Sequence, residues 1–135
     1  MIVIDSSALI AILFDDAQAD TLLERLAGTR ERYVSVVSYV ETGTVIAGRM
    51  RDDPKGAIPL LDAFLVELGA QLHAVDETQM RIAMKARIEY GRGFGAAAGL
   101  NFGDCFAYAL AKTLDAPLLF VGNDFAETDL KPAMR

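Results

Sequence analysis

Short β-branched apolar runs alternate along this chain with longer stretches in which apolar residues recur every three or four positions. That alternation predicts an α/β domain, a mainly parallel sheet of four to five strands with helices on its faces. The first run, Met1-Ile2-Val3-Ile4, stops on Asp5-Ser6-Ser7. An unbroken apolar run bounded by capping residues predicts a buried central strand, with Ser6 or Ser7 capping a helix over Ala8–Phe14. A second helix over Asp16–Ala27 carries Ala19, Leu22, Leu23 and Leu26 at helical spacing and stops at Gly28. Tyr33–Val37 predicts the next strand. Ser38, with Glu41 three residues on, predicts a capping box that opens a helix running to about Met50. After the Asp52-Asp53-Pro54 turn come a helix over Ile58–Leu68, a strand over Gln71–Val75, a helix over Glu77–Tyr90 and a glycine-rich loop over Gly91–Gly99. A helix opening at Asn101–Asp104 and ending near Leu114 follows, then a strand over Leu118–Val121 and a turn at Gly122-Asn123-Asp124. Asp129–Arg135 is expected to add a short edge strand. There is no linker and no internal repeat, so residues 1–135 are read as one domain.

Placed on this layout, most acids fall in turns or on polar helix faces, where solvation explains them. Asp5, Glu41, Asp104 and Asp124 share a different address, each at a strand end or a following helix start. In a parallel sheet with short connections those positions lie along one edge, so four carboxylates distant in sequence can converge where α/β proteins bind ligands. Each also has a local explanation. Asp5 can join Ser6 and Ser7 in capping a helix, Glu41 completes a capping box, Asp104 follows the cap residue Asn101, and Asp124 can form an Asx-turn. Local roles explain each acid singly but leave their common edge unexplained.

Composition narrows the chemistry. The chain is 53% hydrophobic, yet no apolar stretch is long enough to span a bilayer, and no basic leader precedes the first strand, so a cytoplasmic protein without membrane contact is expected. The net charge of −6 argues against holding nucleic acid by a general basic surface, but not against holding a polyanion through cations. A cluster of like charges needs such cations. An all-oxygen ligand set suits magnesium; zinc is disfavoured because His73 and Cys105 are the single histidine and cysteine and stand apart. Cys105 is read as core and His73 as structural. The few basic residues that could meet a polyanion are Arg49 and Arg51 with Lys55 near one turn, and Arg81, Lys85 and Arg92 on or after one helix. Arg81 and Lys85 share a face.

Val3-Ile4-Asp5-Ser6-Ser7-Ala8-Leu9, Ser38-Tyr39-Val40-Glu41, the block from Leu100 to Ala111, and Phe120-Val121-Gly122-Asn123-Asp124-Phe125 together resemble the four motifs of PIN-domain ribonucleases. The last two resemble those of the VapC toxins of toxin–antitoxin pairs. The resemblance spans nearly the whole chain in order, and Leu100–Ala111 is its most specific part. It implies a three-layer α/β/α PIN-like fold and a magnesium- or manganese-dependent endoribonuclease, usually a homodimer, that cleaves RNA and is inhibited by a cognate VapB-like antitoxin. It also implies that Asp5, Glu41, Asp104 and Asp124 form the acidic quartet, with Ser7 supporting the first acid and Asn101 and Asn123 as polar neighbours. The Gly91–Gly99 stretch departs from many relatives in offering little side-chain chemistry. A haloacid-dehalogenase-type phosphotransferase would need a second Asp where Ser7 stands, and a receiver domain would need a lysine in Phe120-Val121-Gly122. The remaining rival is a PIN domain that has lost catalysis and serves as a protein- or RNA-binding module. An apolar chain with aliphatic helices such as Ile58–Leu68, and with Phe14 at a helix end, is expected to bury surface in a dimer.

Overall fold

The computed structural model describes residues 1–134, and Arg135 lies outside the described residues. Strands β1 (Ile2–Ile4), β2 (Arg32–Ser35), β3 (Ala70–His73) and β4 (Leu118–Leu119) form one parallel sheet in the order β3-β2-β1-β4. Val3 pairs with Tyr33 on one side and Leu118 on the other, which makes β1 a central strand. Among the described residues the helices are α1 (Ser6–Leu13), α2 (Ala19–Ala27), α3 (Val36–Arg49), α4 (Ala57–Leu68), α5 (Glu77–Tyr90) and α6 (Asp104–Leu114), with a single 3₁₀ turn at Pro54–Gly56.

Strand residues point alternately to opposite faces, and β1 divides the core accordingly. Ile2 and Ile4 pack with Leu9, Leu22, Ile46 and Leu61 of the layer built by α1 to α4. Val3 packs with Ala83, Ala86, Tyr108 and Leu110 of the layer built by α5 and α6. The result is helix, sheet, helix: three layers, with β1, β2 and β3 each entering its following helix at the same edge.

The expected elements are present, with boundaries that shift for identifiable reasons. Val36 and Val37 do not finish β2 but form the first turn of α3; Ser35 is its cap, with Oγ accepting from the Val37 N–H at 3.2 Å. The strand preference of β-branched residues yields here to a direct strand-to-helix passage. The Ser38–Glu41 capping box is therefore not formed: Ser38 is buried with its hydroxyl unpartnered among the described residues, and Glu41 sits in the second turn. Helix α1 starts earlier than expected, at Ser6, and is capped by Asp5 rather than by a serine. Helix α6 starts at Asp104, three residues later than expected. Strand β3 ends at His73 because the Asp76 carboxylate caps α5, accepting from the Gln79 N–H at 2.8 Å. The expected C-terminal edge strand reduces to one parallel bridge between Leu118 and Pro132, since proline has no N–H to extend a ladder. Its last residue, Arg135, falls outside the described residues.

Candidate active site

Asp5 follows the three buried residues of β1, and its N–H donates to the Leu119 carbonyl at 2.9 Å, so the end of the strand is tied to its neighbour β4. Its two carboxylate oxygens differ. Oδ2 accepts from the Ser7 N–H at 3.0 Å and from the Ser7 hydroxyl at 2.6 Å; Oδ1 is buried and has no partner among the described residues. The local capping role and a further role therefore fall on different atoms. Ser7 also binds a second segment, because its Oγ accepts from the Val121 N–H at 3.0 Å. One hydroxyl thus orients Asp5 and pins the loop that carries Asn123 and Asp124. Gly122, at φ +99°, turns that loop through a conformation open mainly to glycine.

Asp104 opens α6 in a reciprocal box with Asn101. The Asp104 N–H donates to Asn101 Oδ1 at 2.8 Å, and the Asn101 N–H donates to Asp104 Oδ2 at 3.0 Å. Glu41 reaches the same place from α3, its Oε1 accepting from the Ser6 hydroxyl at 3.4 Å. Its carboxylate lies over Gly103 so closely that a Cβ there would overlap it. Glycine at 103 is thus the condition for Glu41 to cover the start of α6.

The four acids also act on one another electrostatically. Burial raises the proton affinity of Asp5, and the Asp124 carboxylate adds to it; burial raises that of Glu41, and the Asp5 charge adds to it. Burial first, then the fields of Asp5, Asp124 and Glu41, push the Asp104 carboxyl up to about 7 against the backbone hydrogen bond from Asn101. Asp5 and Asp104 are 2% and 5% exposed, whereas Asp124 is exposed at the rim. The Asx-turn expected at Asp124 is not formed among the described residues, and Asn123 contributes its carbonyl to a turn closed by the Ala126 N–H at 3.1 Å.

These residues fit a hard divalent cation. The donor set is all oxygen, Asp5 Oδ1 is buried without a partner, and the four negative fields overlap with no cationic side chain hydrogen-bonded to any of them among the described residues. No three His, Cys, Asp or Glu side chains among the described residues are grouped closely enough to cage an ion unaided. Magnesium does not require such a cage, because it keeps waters and commonly takes one or two carboxylates plus substrate phosphate. His73 lies away at the end of β3, its Nδ1 within 3.2 Å of Gln79 Nε2, and Cys105 is buried with its thiol against the Asn101 carbonyl.

The basic candidates do not assemble into a patch. Arg81 is paired with Glu77 at 2.8 Å, the Arg49 guanidinium stacks 3.9 Å from the Phe14 ring centroid, Lys85 lines a separate cleft with Lys112 and Asp129, and Arg51 and Arg92 are exposed in turns. Sequence reading passed over Arg87. It is half-buried, donates to the Arg92 carbonyl at 3.0 Å and lines an apolar cleft with Met80, Met84, Phe102 and Phe106. The available signal was its place at position i+7 from Met80 on the stripe that also holds Ala83 and Met84. Phe102, exposed between Asn101 and Gly103, was also passed over as chemistry. It walls both that cleft and a larger groove of about 570 Å³ shared with Ser6, Glu41 and Asn101. The Gly91–Gly99 loop is tied at its base, where the Arg92 N–H donates to the Leu100 carbonyl and the Leu100 N–H to the Tyr90 carbonyl, each at 2.9 Å.

The PIN domain profile matches residues 2–131. The chain is 45% identical over 128 residues to a ribonuclease VapC of Mycolicibacterium smegmatis, covering 95% of this chain and 96% of that one. It is 40% identical over 131 residues to ribonuclease VapC42 of Mycobacterium tuberculosis, covering 97% and 98%. Its fold superposes on VapBC2 from Rickettsia felis, solved bound to a DNA fragment from the pair's promoter, with a TM-score of 0.72 at 17% identity over 98% of this chain and 97% of that one.

Proposed function

The chain belongs to the PIN-domain family, and on that premise we propose that it is the VapC-type toxin of a toxin–antitoxin pair, an endoribonuclease that hydrolyses RNA phosphodiester bonds with magnesium or manganese. The observation that carries this reading is the unpartnered, buried Asp5 Oδ1 inside the mutual field of Glu41, Asp104 and Asp124. Asp5, Asp104 and Asp124 would hold the ion, with Glu41 closing the site from α3. When bound, the ion would supply charge neutralisation at the phosphate and lower the pKa of a coordinated water. Ser7 keeps Asp5 in one rotamer and holds the Asp124 loop against it. Asn101 fixes Asp104 through the reciprocal box. Water adds to phosphorus and the bond to the 3′ oxygen breaks, leaving a 5′-phosphate and a 3′-hydroxyl that takes up the proton. No histidine base is required.

An antitoxin is the expected partner, acting with this chain in the cytoplasm. Arginine suits the acidic pocket, since its fork matches a carboxylate and its charge replaces that of the ion. The groove of about 570 Å³ beside Glu41 continues along α3 into a second of about 340 Å³ toward α4, the two sharing Val40 and Thr44, which gives an apolar segment a path from the acids. The homodimer is proposed on α5, where Met80, Met84 and Ile88 form an exposed stripe at intervals of four. Phe14, expected at that surface, packs on the core beneath Arg49.

Total RNA incubated with magnesium, manganese or chelator, using the parent and Asp5→Asn, tests the reading. Cleavage that needs metal and is lost in the variant supports it. Activity persisting in excess chelator would sink the metal mechanism, and no cleavage in manganese with partner binding retained would favour the binding-module alternative.

A further inference from the structure

Seven of the 13 lysines and arginines of this acidic chain are already engaged, Arg87 among them through the Arg92 carbonyl and the Phe94 ring. Arg81 pairs with Glu77, Lys112 with Asp129 and Lys131 with Asp115; Arg25 and Arg32 are spent on backbone carbonyls and Arg49 on the Phe14 ring. With a net charge of −6, the electrostatic attraction that usually holds a nucleic acid is weak here. An RNA strand aligned on the acids must be gripped by uncharged contacts. Among the described residues Phe102 is the exposed aromatic in the turn that carries Asn101 and Asp104.

We propose that Phe102 is a stacking platform for the nucleobase adjoining the scissile phosphate, and so a positioning residue of the reaction; the inference rests on the ribonuclease reading above. The ring is 69% exposed although it belongs to the turn that builds the site. Its predecessor Asn101 is locked to Asp104, and its successor Gly103 lies beneath the Glu41 carboxylate. The ring also rests on Phe106, with centroids 5.1 Å apart. Phe102 is therefore fixed within one residue of the contacts that position two of the acids. The groove it walls has a nucleoside's own division of character: Ile10, Val37 and Val40 are apolar, while Ser6, Thr44 and Asn101 offer hydroxyl and amide groups. A phosphate at the carboxylates must send its flanking nucleosides into the adjoining grooves, and Phe102 stands between them. Single-stranded RNA is commonly held in this way, by unstacked bases on aromatic rings, with little dependence on base identity.

The test uses the full chain, manganese and a single-stranded oligoribonucleotide whose cleavage position by the parent has been mapped. Phe102→Ala is expected to raise KM by roughly 10- to 100-fold with a smaller change in kcat. Phe102→Trp should restore the parent value, and Phe102→Leu, apolar but without a π face, should not. An oligonucleotide with an abasic residue beside the scissile bond should be cleaved equally poorly by parent and Phe102→Ala, since each removes one half of the same contact. An unaltered rise in melting temperature with manganese in Phe102→Ala shows that the acids are intact. Equal KM values for the Leu and Trp variants, or abasic and Ala losses that add, would overturn the proposal. So would a change in sedimentation of Phe102→Ala with KM unchanged, which would make the ring a contact between protein chains. A parent that cleaves no RNA overturns the ribonuclease reading and this inference with it. A parent that cleaves, alongside Phe102 variants indistinguishable from it, overturns this inference alone.

Discussion

Asp5 divides its carboxylate between two tasks, and the division explains how one residue can be both a helix cap and a candidate ligand. Oδ2 satisfies the first turn of α1, while Oδ1 is buried without a partner among the described residues. Asp104 is arranged similarly, with one oxygen engaged by the Asn101 N–H and its proton affinity raised. Folding raises the pKa of Asp104 from 3.8 to about 7, so the native state holds a proton over a range where the unfolded chain has released it. Stability of the metal-free protein therefore falls as pH rises through that window, and the penalty is complete above it. Asp5 and Glu41 shift in the same direction and reinforce the slope. Asp104→Asn removes the charge while its amide carbonyl can still accept from Asn101. The variant is expected to lose cleavage, to match or exceed the parent's metal-free melting temperature at neutral pH, and to show a flatter pH dependence. It should also lose most of the stabilisation by magnesium or manganese, which in the parent is on the order of 2.7 kcal/mol at a hundredfold excess over Kd. Melts across pH with and without metal decide this. A destabilised, fully active Asp104→Asn would leave Asp104 as a helix-start acid only.

At the scale of elements, the site depends on α3 lying across the start of α6. At that crossing the Glu41 carboxylate lies over Gly103. Gly103 has φ −64° and ψ −37°, a conformation alanine adopts freely, so Gly103→Ala tests the close approach rather than the backbone. We expect it to fold but to lose cleavage by an order of magnitude or more as Glu41 is displaced; undiminished activity would show that Glu41 need not lie there. Helix α5 poses the other question at this scale. Met80, Met84 and Ile88 are 46%, 56% and 55% exposed on one stripe. Met84→Glu is expected to convert a dimer to a monomer in sedimentation at micromolar concentration, and an unchanged oligomeric state would place the contact elsewhere.

For the whole molecule, the net charge and the acid-lined edge act together. An acidic protein attracts RNA poorly without cations, so cleavage should depend on divalent metal for binding as well as for chemistry. The expected products carry 5′-phosphates, read by ligation or phosphatase sensitivity of the fragments; cyclic phosphate ends would mean attack by the 2′-hydroxyl instead. The same charge favours a basic inhibitor. A partner that inhibits tightly without a basic residue in its toxin-binding segment would rule out insertion of arginine among the acids.

The sequence by itself determined the layered architecture, because the period of apolar residues switches between strand and helix spacing at each junction and β1 is apolar without interruption. It also pointed Asp5, Glu41, Asp104 and Asp124 toward one edge, since parallel strands with short connections put strand ends and helix starts there. Capping was legible only in part. Ser38–Glu41 has the form of a capping box but Ser35 caps α3, and the box that does form is Asn101–Asp104, because helix starts are settled by where the sheet releases the chain. What only the tertiary structure decided concerns distances between segments remote in sequence. The Ser7 hydroxyl joins Asp5 to the loop after β4 across 114 residues, and Gly103 makes room for Glu41 across 62, contacts that no local pattern encodes. The fields of three other acids on Asp104, and the exposure of Phe102 beside them, likewise exist only once the layers have packed.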